Sequence, residues 1–116
     1  MKKIYHLSTC NTNQRIIKEL DGLKGFEFQN IREKNIEPEV LDSLAKKMGS
    51  YVCLFSRRAQ KFKSMGLKDK NLSEKDIRKL ILEEYTFLKR PVIIDGDNVF
   101  VGNAKSVVEE AKRYIG

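Results

Sequence analysis

The sequence predicts an α/β domain with a mixed sheet, in which two strand-containing parts are separated by a helical segment. A strand, a helix and a second strand follow one another in residues 3–31, and two β-branched runs joined through Asp-Gly precede a last helix in residues 92–115. Between these parts, apolar residues recur at helical spacing. The order is therefore β-α-β, then helices, then β-β-α.

Length and composition predict one globular domain. The chain has 116 residues, of which 41% are hydrophobic and 34% charged, and it can bury a core of its own. No apolar run approaches a membrane span, and the apolar part of residues 1–7 breaks too early for a secretory signal. We expect a cytoplasmic protein whose formal charge of +7 would attract anions.

The N-terminal part is predicted to form a β-α-β unit. Residues 3–7 alternate as a short strand, and a helix follows from Thr12 or Asn13 to residue 20, where two glycines end it. Residues 26–31 alternate again with period two. The two strands of such a unit should run parallel, joined by a right-handed connection.

The middle of the chain is predicted to be helical. One helix begins at Pro38, a favoured first-turn residue, and ends at Gly49. A shorter helix over residues 56–67 is stopped by Gly66. The apolar run 51–55 between them fits a strand or a helix equally well.

A longer helix and a hairpin complete the prediction. Ser73 caps the helix with Asp76 at its third position, and the apolar stripe continues as far as Leu88. Two β-branched runs joined through Asp-Gly then predict an antiparallel hairpin over residues 92–101. Gly102 and Asn103 break it before the last helix.

Cys10 is the first candidate for chemistry, because a strand ends and a helix begins around it. The free N–H groups and positive dipole at a helix N-terminus favour a thiolate and can bind an oxyanion. Asn11 or Thr12 could cap this helix. The alternative is a small cysteine that is packed and inert.

The other cysteine, Cys53, is expected to be a small buried residue of the run 51–55 rather than a resolving thiol. Neither cysteine belongs to a Cys-x-x-Cys pair, since Asn13 stands where the partner of Cys10 would be. With one histidine in the chain, we expect no Cys/His zinc site, and both thiols should be reduced.

Three segments carry a resemblance to a known family. Ile4-Tyr5-His6 followed by Cys10-Asn11-Thr12 resembles the N-terminal signature of the ArsC-type arsenate reductases, a family that includes the Spx regulators. Two later segments match in order: Leu54-Phe55-Ser56-Arg57-Arg58 through Met65-Gly66-Leu67, and Leu88-Lys89-Arg90-Pro91 with the hairpin and helix behind it. This resemblance covers nearly the whole chain. It implies a thioredoxin-like core of about residues 1–32 and 85–116, with a helical insertion of about residues 33–84.

The resemblance also implies roles for individual residues. Cys10 would be the nucleophile, Arg58 the oxyanion-binding arginine of the insertion, and Arg90 the arginine before a cis-proline. A guanidinium suits such a site because it stays charged and can donate two parallel hydrogen bonds to an oxyanion. The supporting residues would be His6, Asn11, Thr12, Asn13, Pro91 and Asn103.

Other interpretations of these residues stay open. Arg58 belongs to a basic run of Arg57, Arg58, Lys61, Lys63, Lys68 and Lys70, which could be a solvated face. Arg90 could be a cation at a helix C-terminus. His6 could be structural, as strand histidines often are.

Asn103 departs from the family pattern. Arsenate-reducing members have a third arginine just before the last helix, and the same spacing from Arg90 reaches Asn103 here. An asparagine can donate hydrogen bonds to an oxyanion but supplies no charge. This departure leaves it open whether arsenate is the substrate.

The resemblance implies a thiol-dependent oxidoreductase without a bound cofactor or metal. Cys10 would attack arsenate held by Arg58, Arg90 and the loop amides, and glutathione or glutaredoxin would complete the reduction. A second hypothesis is an Spx-like regulator that binds RNA polymerase, although Asn13 removes the usual Cys-x-x-Cys switch. A third is a glutathione-dependent thiol reductase or transferase without arsenate activity.

Specific nucleic-acid binding is the least favoured function. Phe62 is the only aromatic residue between Arg57 and Lys70, so the basic run offers few stacking partners. Charge alone would give only nonspecific, salt-sensitive binding.

Overall fold

The computed structural model describes residues 1–115, and its chain divides into two compact units. The first unit combines Met1–Lys34 with the chain from Arg90 onward, and the second is Asn35–Lys89. In chain order the described elements are β1 (Lys2–His6), α1 (Asn11–Glu19), β2 (Glu27–Asn30), α2 (Pro38–Met48), α3 (Gln60–Ser64), α4 (Glu74–Glu83), β3 (Val92–Asp95), β4 (Asn98–Val101) and α5 (Lys105–Ile115).

The first unit is built on a mixed sheet in the order β2-β1-β3-β4. β1 is parallel to β2 and antiparallel to β3, and β3 forms an antiparallel hairpin with β4. Gly96 lies in the turn of that hairpin with a φ of 61°, a conformation that glycine adopts without strain. The predicted β-α-β unit and hairpin are confirmed.

The core of the first unit lies where α1 and α5 pack on the sheet. Its buried members come from three strands, two helices and the connection after α1: Ile4, Ile16, Leu20, Leu23, Ile93, Phe100, Val108 and Ala111. Because side chains alternate along a strand, His6 lies on the same face of β1 as Ile4. Burial of each large aliphatic side chain contributes about 1.5–3 kcal/mol, which holds α1 against β1.

Both predicted ends of α2 and the predicted start of α4 are confirmed. α2 begins at Pro38 and ends at Gly49, which has a left-handed φ of 94°. Before α4, the Asp76 N–H donates to Ser73 Oγ at 3.1 Å and the Ser73 N–H donates to Asp76 Oδ2 at 3.0 Å. These two bonds form a complete capping box.

The predicted continuation of this helix to Leu88 is wrong. α4 ends at Glu83, and the next residue has an extended φ of −138°. Leu88 instead forms an isolated antiparallel bridge with Phe55, and the Lys89 N–H donates to the Leu54 carbonyl at 2.8 Å. The apolar stripe therefore continues as a short 3₁₀ turn over Tyr85–Phe87, and the chain becomes extended only at Leu88.

The ambiguous run at 51–55 forms a short 3₁₀ turn over Tyr51–Leu54 and then becomes extended. The helix predicted over residues 56–67 is shorter than expected, because residues 57–58 form a turn before α3. Within the described chain, no helix combines the length and apolar character needed to cross a membrane.

Candidate active site

Cys10 is the N-cap residue of α1. Its backbone is extended, with φ −90° and ψ 112°, and its carbonyl accepts the Gln14 N–H at 3.1 Å as the helix begins. The thiol is partly exposed and free of any disulfide. It thus lies at the end of α1 where unpaired N–H groups and the positive dipole stabilise an anion.

The prediction that Asn11 or Thr12 caps this helix is wrong, since both are already helical. The reason is a tight turn in which the Cys10 N–H donates to the Leu7 carbonyl at 3.0 Å. This turn places Cys10 in the extended conformation of a cap residue. Asn11 is exposed and Thr12 is partly buried in the first turn of the helix.

Asn13 ties the start of α1 to the end of β1. Its side chain is fully buried, and its Oδ1 accepts the Leu7 N–H at 2.9 Å. Its Nδ2 is also buried and has no hydrogen-bond partner among residues 1–115. The resemblance implies a supporting role for Asn13, at the position of a second cysteine, and in the structure its side chain helps to hold the cysteine loop.

A second set of hydrogen bonds holds the same loop from β2. Asn30 Nδ2 donates to Ser8 Oγ at 2.8 Å, and the Ser8 N–H donates to Asn30 Oδ1 at 3.4 Å. Gln14 Nε2 donates to the Ser8 carbonyl at 3.2 Å. Sequence reasoning missed these residues, although Asn30 interrupts an aromatic face at the carboxyl end of a parallel strand, where sites of α/β sheets form.

His6 is the last residue of β1 and is 9% exposed. Its ring meets Phe28 edge-on with centroids 5.5 Å apart, and its Nδ1 is buried without a hydrogen-bond partner in the described chain. Burial lowers the pKa of His6 below 6.5, and the nearby Glu33 carboxylate opposes this only in part. The imidazole is therefore neutral at pH 7.

The sheet topology brings further candidates to the same end of the first unit. Because β3 is antiparallel to β1, with Val92 opposite Tyr5, Arg90 and Pro91 enter the sheet at the end where the cysteine loop leaves it. Asn103 follows β4 and lies at that end too, since Val101 is opposite Val92.

The Arg90–Pro91 peptide bond is cis, as the family resemblance implied. Pro91 is buried and its carbonyl accepts the Gly102 N–H at 2.9 Å, whereas Arg90 is partly buried and Asn103 is exposed. The alternative that Arg90 follows a helix C-terminus is wrong, because α4 ends at Glu83 and Leu88 is extended.

The remaining predicted residues belong to the second unit. Arg58 is exposed in the turn before α3, and its role in an oxyanion site stays a prediction. Cys53 is a partly buried free thiol whose Sγ donates to the Met48 carbonyl at 3.7 Å. Among residues 1–115, no cluster of His, Cys, Asp and Glu side chains is arranged to hold a metal ion.

Comparison with known proteins gives matches along nearly the whole chain. The model of the ArsC family matches residues 5–111. An arsenate reductase of Haemophilus influenzae is 27% identical over 111 residues, which cover 92% of this chain and 95% of that protein.

Solved structures show the same fold at low sequence identity. The YffB (PA3664) protein has a TM-score of 0.81 at 18% identity, with 100% of both chains covered. The arsenate reductase from Vibrio cholerae has a TM-score of 0.78 at 19% identity, covering 94% of this chain and 95% of that one. The mixed sheet is therefore the thioredoxin-like sheet of these proteins.

The lowered pKa of His6 predicts a pH dependence of stability. The unfolded chain binds a proton near pH 6.5, whereas folded His6 binds it only at a lower pH because its pKa is lowered, so the free energy of unfolding falls as the pH drops through this value. His6 is the only histidine. Urea denaturation should therefore show that the free energy of unfolding decreases more between about pH 7.5 and about pH 5.5 for the wild type than for His6→Gln. Equal slopes for the two proteins would contradict this assignment.

Proposed function

Since the chain belongs to the ArsC family, we propose that it is a thiol-dependent oxidoreductase in which the Cys10 thiolate attacks a small tetrahedral oxyanion such as arsenate. The observation that carries this proposal is the position of Cys10 immediately before α1, in a loop held by the side chains of Asn13 and Asn30. A fixed loop keeps the thiol and the helix N–H groups in one arrangement. Covalent catalysis with preorganised oxyanion donors gains from this rigidity.

The first unit would supply donors for the oxyanion. Free N–H groups at the start of α1 provide one set. Arg90, beside the cysteine loop in the sheet topology, provides a permanent positive charge. The family pattern also implies an oxyanion-binding role for Arg58, which stays a prediction.

The proposed reaction balances with two external thiol groups. The Cys10 thiolate displaces one arsenate oxygen as water and forms a sulfur–arsenic(V) bond. An external thiolate then attacks the Cys10 sulfur, which breaks that bond and leaves its electron pair on arsenic as arsenite. A second external thiol releases Cys10 from the mixed disulfide, so that arsenate and two thiols yield arsenite, a disulfide and water. Glutathione or glutaredoxin is the proposed donor.

Asn103 favours a second candidate, a glutathione-dependent thiol reductase without arsenate activity. It is exposed at the same end of the sheet as Cys10 and Arg90, at the position where the family resemblance implies an arginine in arsenate-reducing members. The loss of this charge would weaken binding of a multiply charged anion more than binding of a thiol or disulfide.

The first test removes the proposed nucleophile. Cys10→Ser should abolish thiol-dependent arsenate reduction, because a serine hydroxyl is not ionised near neutral pH and cannot form the sulfur–arsenic bond. Cys53→Ala is the matched control and should keep nearly full turnover. Arsenite formation with glutathione and glutaredoxin is the measurement. Turnover by Cys10→Ser would remove Cys10 from the mechanism, and loss of turnover in a folded Cys53→Ala variant would assign a role to Cys53.

The second test restores the missing charge. Asn103→Arg should raise kcat/KM for arsenate about tenfold, because hydrogen bonds from charged donors exceed neutral ones by about 1 kcal/mol or more. Asn98→Arg adds the same charge at the opposite end of the sheet and should have little effect. No gain in the Asn103→Arg variant, or an equal gain in both, would show that Asn103 does not set arsenate specificity.

A further inference from the structure

The second unit contains a cleft of about 450 Å³ that is separate in sequence from the cysteine loop. Its floor is formed by the buried side chains of Phe55, Leu67 and Ile77. Phe62 and Leu72 are partly buried in its walls, and Val52 is an exposed apolar residue at its edge, with 41% of its surface accessible. The volume is within the usual range for small-molecule sites.

The rim of this cleft carries positive charge without a neutralising partner. Arg57, Lys68 and Lys70 line it together with the amide of Asn71, and no carboxylate is among its lining residues. Within residues 1–115, none of these three cations forms an ion pair. The cleft thus joins an apolar interior to a cationic edge.

Three acidic side chains of the same unit are engaged elsewhere, and Asp69, between Lys68 and Lys70 in sequence, is not among the lining residues. Glu74 accepts hydrogen bonds from Ser50 and from the Tyr51 N–H at 2.9 Å. Glu84 pairs with Lys61 at 2.8 Å, and Asp76 belongs to the capping box of α4. These carboxylates are therefore held by their own partners.

The apolar interior is formed before any ligand binds. The Phe55 ring stacks on Phe87 with centroids 5.3 Å apart and meets Phe62 edge-on at 6.0 Å. The backbone of Phe55 is fixed by its bridge to Leu88. A ligand would therefore bind a preorganised surface and would not need to order it.

We infer that this cleft binds a small amphipathic anion, with an apolar body against Val52, Phe62 and Leu72 and a carboxylate, sulfonate or phosphate group at the cationic rim. Apolar burial would supply affinity, and charge-assisted hydrogen bonds from Arg57, Lys68 and Lys70 would fix the orientation. An inorganic oxyanion would leave the apolar floor uncovered. The inference does not depend on the reaction proposed for Cys10.

The experiment uses the fluorescent dye 8-anilinonaphthalene-1-sulfonate, an aromatic body with one sulfonate, titrated against the folded full-length protein. Binding should saturate at one dye per chain. N-phenyl-1-naphthylamine, which lacks the sulfonate, should bind about tenfold more weakly, because it loses the charge-assisted contacts. Inorganic sulfate at the concentration of the dye should not displace it.

Matched variants test both parts of the site. Lys68→Gln/Lys70→Gln should weaken dye binding about five- to tenfold, whereas Lys63→Gln/Lys75→Gln removes equal charge outside the cleft and should not. Val52→Asp should weaken binding by placing a carboxylate at the apolar edge, while Met65→Asp adds the same charge at another exposed position, 46% accessible and outside the lining. Circular dichroism confirms that each variant is folded.

Amide chemical shifts of the labelled protein locate the dye. Perturbations should cluster in residues 52–77, and Cys10→Ser should leave the affinity unchanged. Non-saturating binding, equal weakening in each variant and its control, or perturbations centred on the cysteine loop would overturn the inference. The last outcome would place the dye at the proposed oxyanion site, so failure here is distinct from failure of the proposed reaction.

Discussion

The buried hydrogen bond from the Leu7 N–H to Asn13 Oδ1 is the constraint on which the candidate site depends. It joins the end of β1 to the first turn of α1, and so it sets the path of the three residues between Leu7 and the helix. Without this acceptor, the buried N–H would be left unsatisfied at a cost of about 1–3 kcal/mol. The contact between Asn30 and Ser8 adds a second attachment from β2. Together they keep Cys10 as the cap residue, where the thiol meets the unpaired N–H groups of the helix.

The strand order gives that local arrangement its chemical surroundings. β1 leaves the sheet at the end where β3 enters and β4 leaves, so segments distant in sequence supply Cys10, Arg90 and Asn103 at one edge. A thiol, a permanent cation and a neutral amide therefore lie at the same end of the sheet, and in the proposed function these three groups select the substrate. The second unit carries its own amphipathic cleft, which needs none of these residues. The chain therefore holds one candidate site for covalent chemistry and another for non-covalent recognition.

Local signals in the sequence were sufficient to predict much of the secondary structure. Pro38 and Gly49 fix the ends of α2, the capping box of Ser73 and Asp76 starts α4, and the Asp-Gly turn specifies the hairpin, because each depends on neighbouring residues. The end of α4 was not predictable in this way. Its apolar stripe continues past Glu83, but the chain there forms a 3₁₀ turn over Tyr85–Phe87, and Leu88 pairs as an extended residue with the distant Phe55. The Asn30 contact was missed for the same reason, whereas the cap at Cys10 was missed because it depends on the tight turn from Leu7. Likewise, the basic run from Arg57 to Lys70 predicted a charged surface, but it did not predict the cleft whose floor is formed by Phe55, Leu67 and Ile77.

The most direct test of the proposed site is the alkylation rate of Cys10 in the Cys53→Ala variant, measured against pH with and without arsenate or sulfate. We expect the folded protein to react with iodoacetamide near about pH 7 much faster than the same chain unfolded in urea, and either anion to protect the thiol. Such a result would establish a reactive cysteine within an oxyanion site. Equal rates for folded and unfolded chains at every pH, with no protection by either anion, would contradict it.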